Sequence, residues 1–116
     1  TSPPFSVLSG DDPLTLPLMA LGAVGVISVV SNLYPRTLKG MVNAALTGDF
    51  PTARAINQRL LPLYRTLFIE TNPGPIKAAM NLKGIPVGEV RPPLAPVKRE
   101  TLKAIRQALH ETEDLE

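Results

Sequence analysis

The strongest constraint on the fold is a pair of short apolar runs near the start of the chain, within residues 5–9 and 26–30. Turn residues bound both runs, and one helix-like segment, 13–20, separates them. Strand, helix and strand within about 25 residues predict a right-handed βαβ unit with parallel strands. The second run does not alternate apolar with polar residues, which is typical of a strand that is covered on both faces.

Two parallel strands are not stable by themselves, because each keeps an unpaired edge and one helix covers only part of one face. The rest of the sequence predicts helices and no convincing third strand. We therefore expect either a piece of a larger α/β protein or a chain that needs a partner.

The predicted helices have recognisable beginnings and apolar stripes. Pro35 begins a helix that ends at Thr47, and Asp49 caps the next, in which Pro62 should produce a kink. A fourth helix is expected over 75–82, an extended proline-rich segment over 85–96, and a last helix from about residue 97, followed by a frayed end over 112–116. The expected buried side chains of the third and last helices are Ile56, Leu60, Leu63, Tyr64, Leu67 and Phe68, then Leu102, Ile105 and Leu109.

Composition excludes several classes of function. The 116 residues are 44% hydrophobic and 19% charged, which is typical of one globular domain, and a net charge of +2 gives no argument for nucleic acid or a membrane surface. Cysteine is absent and His110 is the only histidine, so we expect neither a disulfide nor a metal site built on these residues. The apolar stretch 14–30 is interrupted by Pro17 and two glycines, which argues against a membrane span. A cytoplasmic location is expected.

Five stretches then follow one another in a specific order. They are LSGDD at 8–12, MALGAVGVIS at 19–28, AINQRL at 55–60, ETNPGPIK at 70–77 and VRPPLAP at 90–96. In this order and spacing they resemble the C-terminal portion of the dihydrodipicolinate synthase family. That family belongs to the pyruvate-dependent Schiff-base aldolases, which also include N-acetylneuraminate lyase. The resemblance covers nearly the whole chain.

The resemblance implies an α/β fold, namely the last two βα units of a (β/α)8 TIM barrel followed by a three-helix C-terminal extension. Residues 1–48 would supply the barrel units and residues 49–116 the extension. The implied enzyme is a lyase of lysine and diaminopimelate biosynthesis, a homo-oligomer (dimer or tetramer) that needs no cofactor. It condenses pyruvate with aspartate semialdehyde through a lysine Schiff base. Two substrate-binding positions match this sequence, Gly10 after one strand and Ile27, through its backbone, on the next.

The catalytic lysine is expected outside this chain. A Schiff-base lysine must be neutral near pH 7, which requires burial or a nearby cation. The five lysines of the chain, Lys39, Lys77, Lys83, Lys98 and Lys103, all lie on predicted helices or at helix ends. We therefore expect the isolated chain to be inactive and to need the remainder of the barrel. The alternative is a non-catalytic helical interaction module derived from the same fold.

Several residues have two possible interpretations. Asp11 and Asp12 either form a carboxylate pair for acid–base chemistry or, as we favour, shape a turn and cap the following helix. Gly10 serves either turn geometry or close approach of substrate, and the side chain of Ile27 is expected in the core. Ser28 and Ser31 lack the histidine and the motif that a nucleophile needs. A subunit contact at Leu21 follows only from the resemblance.

Overall fold

The computed structural model describes residues 4–116, so the first three residues of the predicted barrel segment lie outside the described part. Within that part, two short strands and five α-helices follow one another along the chain, and two short 3-10 turns lie among them, over Asp12–Leu14 and Val30–Asn32. The elements are β1 (Leu8–Ser9), α1 (Thr15–Ala20), β2 (Gly25–Val26), α2 (Pro35–Leu46), α3 (Phe50–Thr66), α4 (Gly74–Leu82) and α5 (Arg99–Glu111).

The two strands pair in parallel, as the sequence predicts, with Leu8 opposite Gly25 and Ser9 opposite Val26. Both are shorter than predicted. The expectation of a strand over 26–30 is wrong beyond Val26, because the chain bends into the 3-10 turn Val30–Asn32. The N–H groups of residues 29 and 30 bind the side chain of Asp12 instead of a neighbouring strand.

The helix boundaries follow local chemistry. α1 begins at Thr15, so Pro17 falls in its first turn, where a missing N–H costs little. Pro35 begins α2 as predicted. At the start of α3, the Asp49 carboxylate accepts a hydrogen bond from the N–H of Thr52 at 3.2 Å, which confirms the predicted cap.

The core lies among α2, α3, α4 and α5, and most of the predicted stripe of α3 is buried in it. Phe68 is 42% exposed, because α3 ends at Thr66 and Phe68 no longer follows the helical period. In α5 the buried face is Thr101, Ile105 and Ala108, whereas Leu102 and Leu109 lie half-buried at its margins. The prediction for α5 is therefore right at Ile105 and partly right at Leu109, which packs against the core, whereas Thr101 and Ala108 are the buried residues that it missed.

The C-terminal end is tied to α2, so the expectation of a frayed end over 112–116 is wrong. Thr112 is fully buried, and its hydroxyl lies 3.1 Å from that of Tyr34. The carboxylate of Glu116 accepts a hydrogen bond of 2.6 Å from the N–H of Thr37, in the first turn of α2. Arg59 of α3 pairs with Asp114. These contacts join segments that are distant in sequence, so the acidic composition of residues 112–116 could not predict them.

Acid should weaken the attachment of α5, whose N-terminus is capped from another segment. The Glu70 carboxylate accepts a hydrogen bond of 2.8 Å from the N–H of Lys98. The Thr101 hydroxyl, followed by that N–H, holds the pKa of the Glu70 carboxyl below its usual value. Because the folded-state pKa is the lower one, the stabilisation is present above the unfolded pKa of about 4.3 and is lost as the pH falls through the folded pKa.

In Glu70→Gln, the free energy of unfolding should therefore fall less steeply below about pH 5 than in the wild type. Urea denaturation at a series of pH values measures this slope. Glu89→Gln is the matched control, because Glu89 is exposed and only its backbone oxygen is bonded, to Lys77. Equal slopes in Glu70→Gln and the wild type would contradict the assignment of Glu70 as the cap.

Candidate functional site

The carboxyl ends of β1 and β2 lie at one edge of the sheet, where parallel α/β folds bind their ligands. Gly10 follows β1 and Ile27 follows β2. The N–H of Ile27 donates to the Ser9 carbonyl at 2.9 Å, which extends the ladder beyond the assigned strands. Continuing the register therefore places Gly10 beside Ile27, the two positions that the family resemblance implies.

Gly10 borders open space. A Cβ atom built on it would meet no other atom within 4 Å. Its φ is also not among the positive values, which occur at Gly22, Gly48, Gly84 and Gly88. The turn therefore does not require glycine here, and close approach of substrate at Gly10 stays a prediction.

The side chain of Ile27 is 72% exposed, so its predicted place in the core is wrong for this chain. The reason is that β1 is the only strand paired with β2 among residues 4–116, and Ile27 lies just beyond the end of β2. Its backbone, by contrast, is held by the hydrogen bond to Ser9. That Ile27 contributes to a site through its main chain stays a prediction.

Asp12 is only 1% exposed, and its carboxylate joins the two strand ends. It accepts hydrogen bonds from the N–H of Val29 at 3.0 Å, from the N–H of Val30 at 3.1 Å and from the hydroxyl of Ser28. The prediction that Asp12 is a cap is confirmed, but the predicted location is wrong. Asp12 caps the 3-10 turn after β2 and not the helix that follows it in sequence. Asp11 is exposed, so the two aspartates do not form a carboxylate pair.

The two serines serve backbone structure. The hydroxyl of Ser28 is bound to Asp12 and accepts the N–H of Ser31 at 3.0 Å, while the hydroxyl of Ser31 donates to the Ser28 carbonyl at 2.8 Å. His110 lies in α5 and faces Glu113 at 3.5 Å. The sequence predicts that neither serine has a histidine partner, and the structure agrees, because His110 faces Glu113 and not Ser28 or Ser31.

The lysines lie away from the strand ends, as predicted. Lys39 and Lys103 are exposed on α2 and α5, and Lys98 precedes α5. Lys77 donates to the carbonyl of Glu89 at 2.5 Å, and Lys83 sits 4.3 Å above the ring of Tyr34. Residues 4–116 thus place no lysine at the carboxyl end of β1 or β2.

Two further features of residues 4–116 concern metal binding and membrane insertion. No cluster of three or more histidine, cysteine, aspartate or glutamate side chains in this part of the chain is arranged to hold a metal ion. Of the helices described, none is both long and apolar enough to cross a membrane.

The link between Asp12 and Ser28 is the feature that the sequence interpretation missed. A signal was present, because Asp12 follows the first predicted strand, Ser28 lies towards the carboxyl end of the second, and parallel strands end at the same edge. The hydroxyl of Tyr64 in α3 is influenced by the same carboxylate. Burial, followed by the negative charge of Asp12, raises the pKa of Tyr64 above its usual value.

Comparison with known proteins gives a consistent result. The family model described as the dihydrodipicolinate synthetase family matches residues 1–112. The 4-hydroxy-tetrahydrodipicolinate synthase of Methanococcoides burtonii is 51% identical and covers 92% of this chain and 37% of its own length. That of Aquifex aeolicus is 52% identical, with coverage of 90% and 36%.

Solved structures agree with the sequence relatives. The crystal structure of dihydrodipicolinate synthase from Aquifex aeolicus superposes with a TM-score of 0.91 at 50% identity, over 94% of this chain and 37% of that one. The chloride-inhibited enzyme from Acinetobacter baumannii, complexed with pyruvate, gives a TM-score of 0.90 at 34% identity, over 94% and 38%. The chain thus spans little more than a third of the proteins that it matches.

Proposed function

Because the chain belongs to the dihydrodipicolinate synthetase family, we propose that it forms the C-terminal part of a lyase that condenses pyruvate with aspartate semialdehyde. The family match across residues 1–112 carries this proposal. The proposed enzyme acts in lysine and diaminopimelate biosynthesis, in the cytoplasm, as a dimer or tetramer and without a cofactor. Leu21, which is 86% exposed, is an expected subunit contact.

In this proposal residues 1–48 supply the last two βα units of a TIM barrel, and residues 49–116 supply the helical extension. The parallel pairing of β1 and β2 supports it. So does the exposure of apolar side chains in and beside the strands, which the other strands of a barrel would cover. The exposed fractions are 88% for Phe5, 50% for Val7, 49% for Leu8, 44% for Val24 and 72% for Ile27.

The chemistry divides between this chain and the rest of the enzyme. The amine of a lysine outside this chain attacks the pyruvate ketone, water leaves, and the resulting imine becomes the enamine that attacks the aldehyde. Gly10 leaves room for the substrate, and the fixed backbone at Ile27 lines the pyruvate site. The lysines of this chain are helical or adjoin helices and serve elsewhere.

The test is a fusion enzyme in which this chain replaces the matching C-terminal region of the Aquifex aeolicus relative. Incubation with pyruvate and borohydride should attach one reduced pyruvate to a lysine in the Aquifex portion, and intact-mass and peptide mass spectrometry would locate it. The isolated chain, treated identically, should stay unmodified.

Two results would overturn the proposal. One is a folded fusion enzyme that neither traps pyruvate nor consumes aspartate semialdehyde, which would favour the non-catalytic interaction module. The other is a pyruvate adduct on a lysine of this chain. The unaltered Aquifex aeolicus enzyme is the positive control, since it shares every residue outside the exchanged region.

A further inference from the structure

We propose that Asp12 is a positioning residue for the pyruvate site, which it serves by fixing the main chain at Ile27 and the distance between the two strand ends. This inference rests on the proposed function and extends it to a residue that does not itself contact substrate. Asp12 is buried, ionisable and bound to three donors of another βα unit.

The main chain at Ile27 is held from both directions. On its N-terminal side, the N–H of Ile27 donates to the Ser9 carbonyl at 2.9 Å. On its C-terminal side, the hydroxyl of Ser28 and the N–H groups of Val29 and Val30 all donate to Asp12. The peptide between Ile27 and Ser28 therefore has little freedom to rotate, although the Ile27 side chain is exposed.

Asp12 is itself anchored on the first βα unit. The carbonyl of Asp11 accepts hydrogen bonds from the N–H of Leu14 at 3.0 Å and from the hydroxyl of Thr15 at 3.3 Å. Pro13 follows directly and restricts the backbone. Since Asp12 lies two residues after Gly10, its carboxylate connects the segment beside Gly10 to the segment beside Ile27.

The arrangement suits positioning better than proton transfer. One carboxylate oxygen is bound to the Ser28 hydroxyl and the other accepts two backbone N–H groups. Hydrogen bonds to an ionised acceptor are stronger than neutral ones, and the buried location keeps water from competing for them. If asparagine accepts both N–H groups with its one acceptor oxygen, its amide nitrogen must donate to the Ser28 hydroxyl, which reverses that bond and leaves the hydroxyl hydrogen without Asp12 as its acceptor.

The test compares Asp12→Asn with Asp11→Asn in the fusion enzyme. Asp11 is exposed and bonds only through its backbone, so the control makes the same chemical change one residue away. Asp12→Asn should raise KM for pyruvate about tenfold and leave KM for the aldehyde within about twofold. A purely structural role would lower the active fraction, and hence the maximal rate, without changing either KM.

Ser28→Ala removes one of the three donors and should raise KM for pyruvate about threefold, which keeps the inference testable if Asp12→Asn folds poorly. In the isolated chain, the amide protons of Val29 and Val30 should exchange slowly with solvent, and they should exchange faster in Asp12→Asn.

Unchanged pyruvate KM values in both variants, with trapping intact in the parent fusion, would overturn the positioning role alone. Failure of the parent fusion to trap pyruvate would instead overturn the proposed function.

Discussion

Leu60→Ala is expected to lower the free energy of unfolding of the chain by about 3 kcal/mol. Leu60 is fully buried in α3, the helix that packs against both α2 and α5. Its truncation removes apolar contacts and leaves a cavity that neighbouring helices fill only in part. Since domains of this size are stable by about 5–15 kcal/mol, the variant should unfold at clearly lower urea concentration, as followed by circular dichroism.

Leu21→Ala is the matched control for this prediction. It makes the same change at a side chain that is 86% exposed, and it should alter the free energy of unfolding by less than about 0.5 kcal/mol. Equal destabilisation by the two substitutions would show that α3 is not the centre of the core.

The parts of the fold that could be predicted from the sequence are those that local chemistry determines. Pro35 and Asp49 begin helices because a fixed φ and a carboxylate acceptor act within one turn. Contacts between distant segments could not be predicted in this way. The acidic end of the chain is ordered because Thr112 and Glu116 bind Tyr34 and Thr37, which are nearly 80 residues away in sequence.

The candidate site shows the same division. The parallel pairing could be inferred from the βαβ pattern, and that pairing brings the two strand ends together. Gly10 and Ile27 stood out as substrate-binding positions only through resemblance to a family. Asp12 was recognised as a cap, but its partners after β2 depend on where the chain bends, which residues 26–30 alone do not reveal.

Gly10→Val is expected to lower pyruvate trapping in the fusion enzyme about 100-fold while leaving the stability of the isolated chain nearly unchanged. The space next to Gly10 is open in this chain, and its φ is compatible with other residues, so the fold should accept the side chain. In the proposed enzyme the same space belongs to substrate, and two branched methyl groups would displace it. Borohydride trapping measures the first effect and urea denaturation the second.

Gly22→Val separates this role of glycine from the conformational one. Gly22 has φ of 110° just after α1, a value that a β-branched residue adopts only with strain. It should destabilise the chain by about 1–2 kcal/mol without changing the trapping per folded molecule. The two substitutions should therefore give opposite results. Gly10→Val should lower pyruvate trapping but not stability, and Gly22→Val should lower stability but not trapping. Full trapping by Gly10→Val would show that substrate does not approach this strand end.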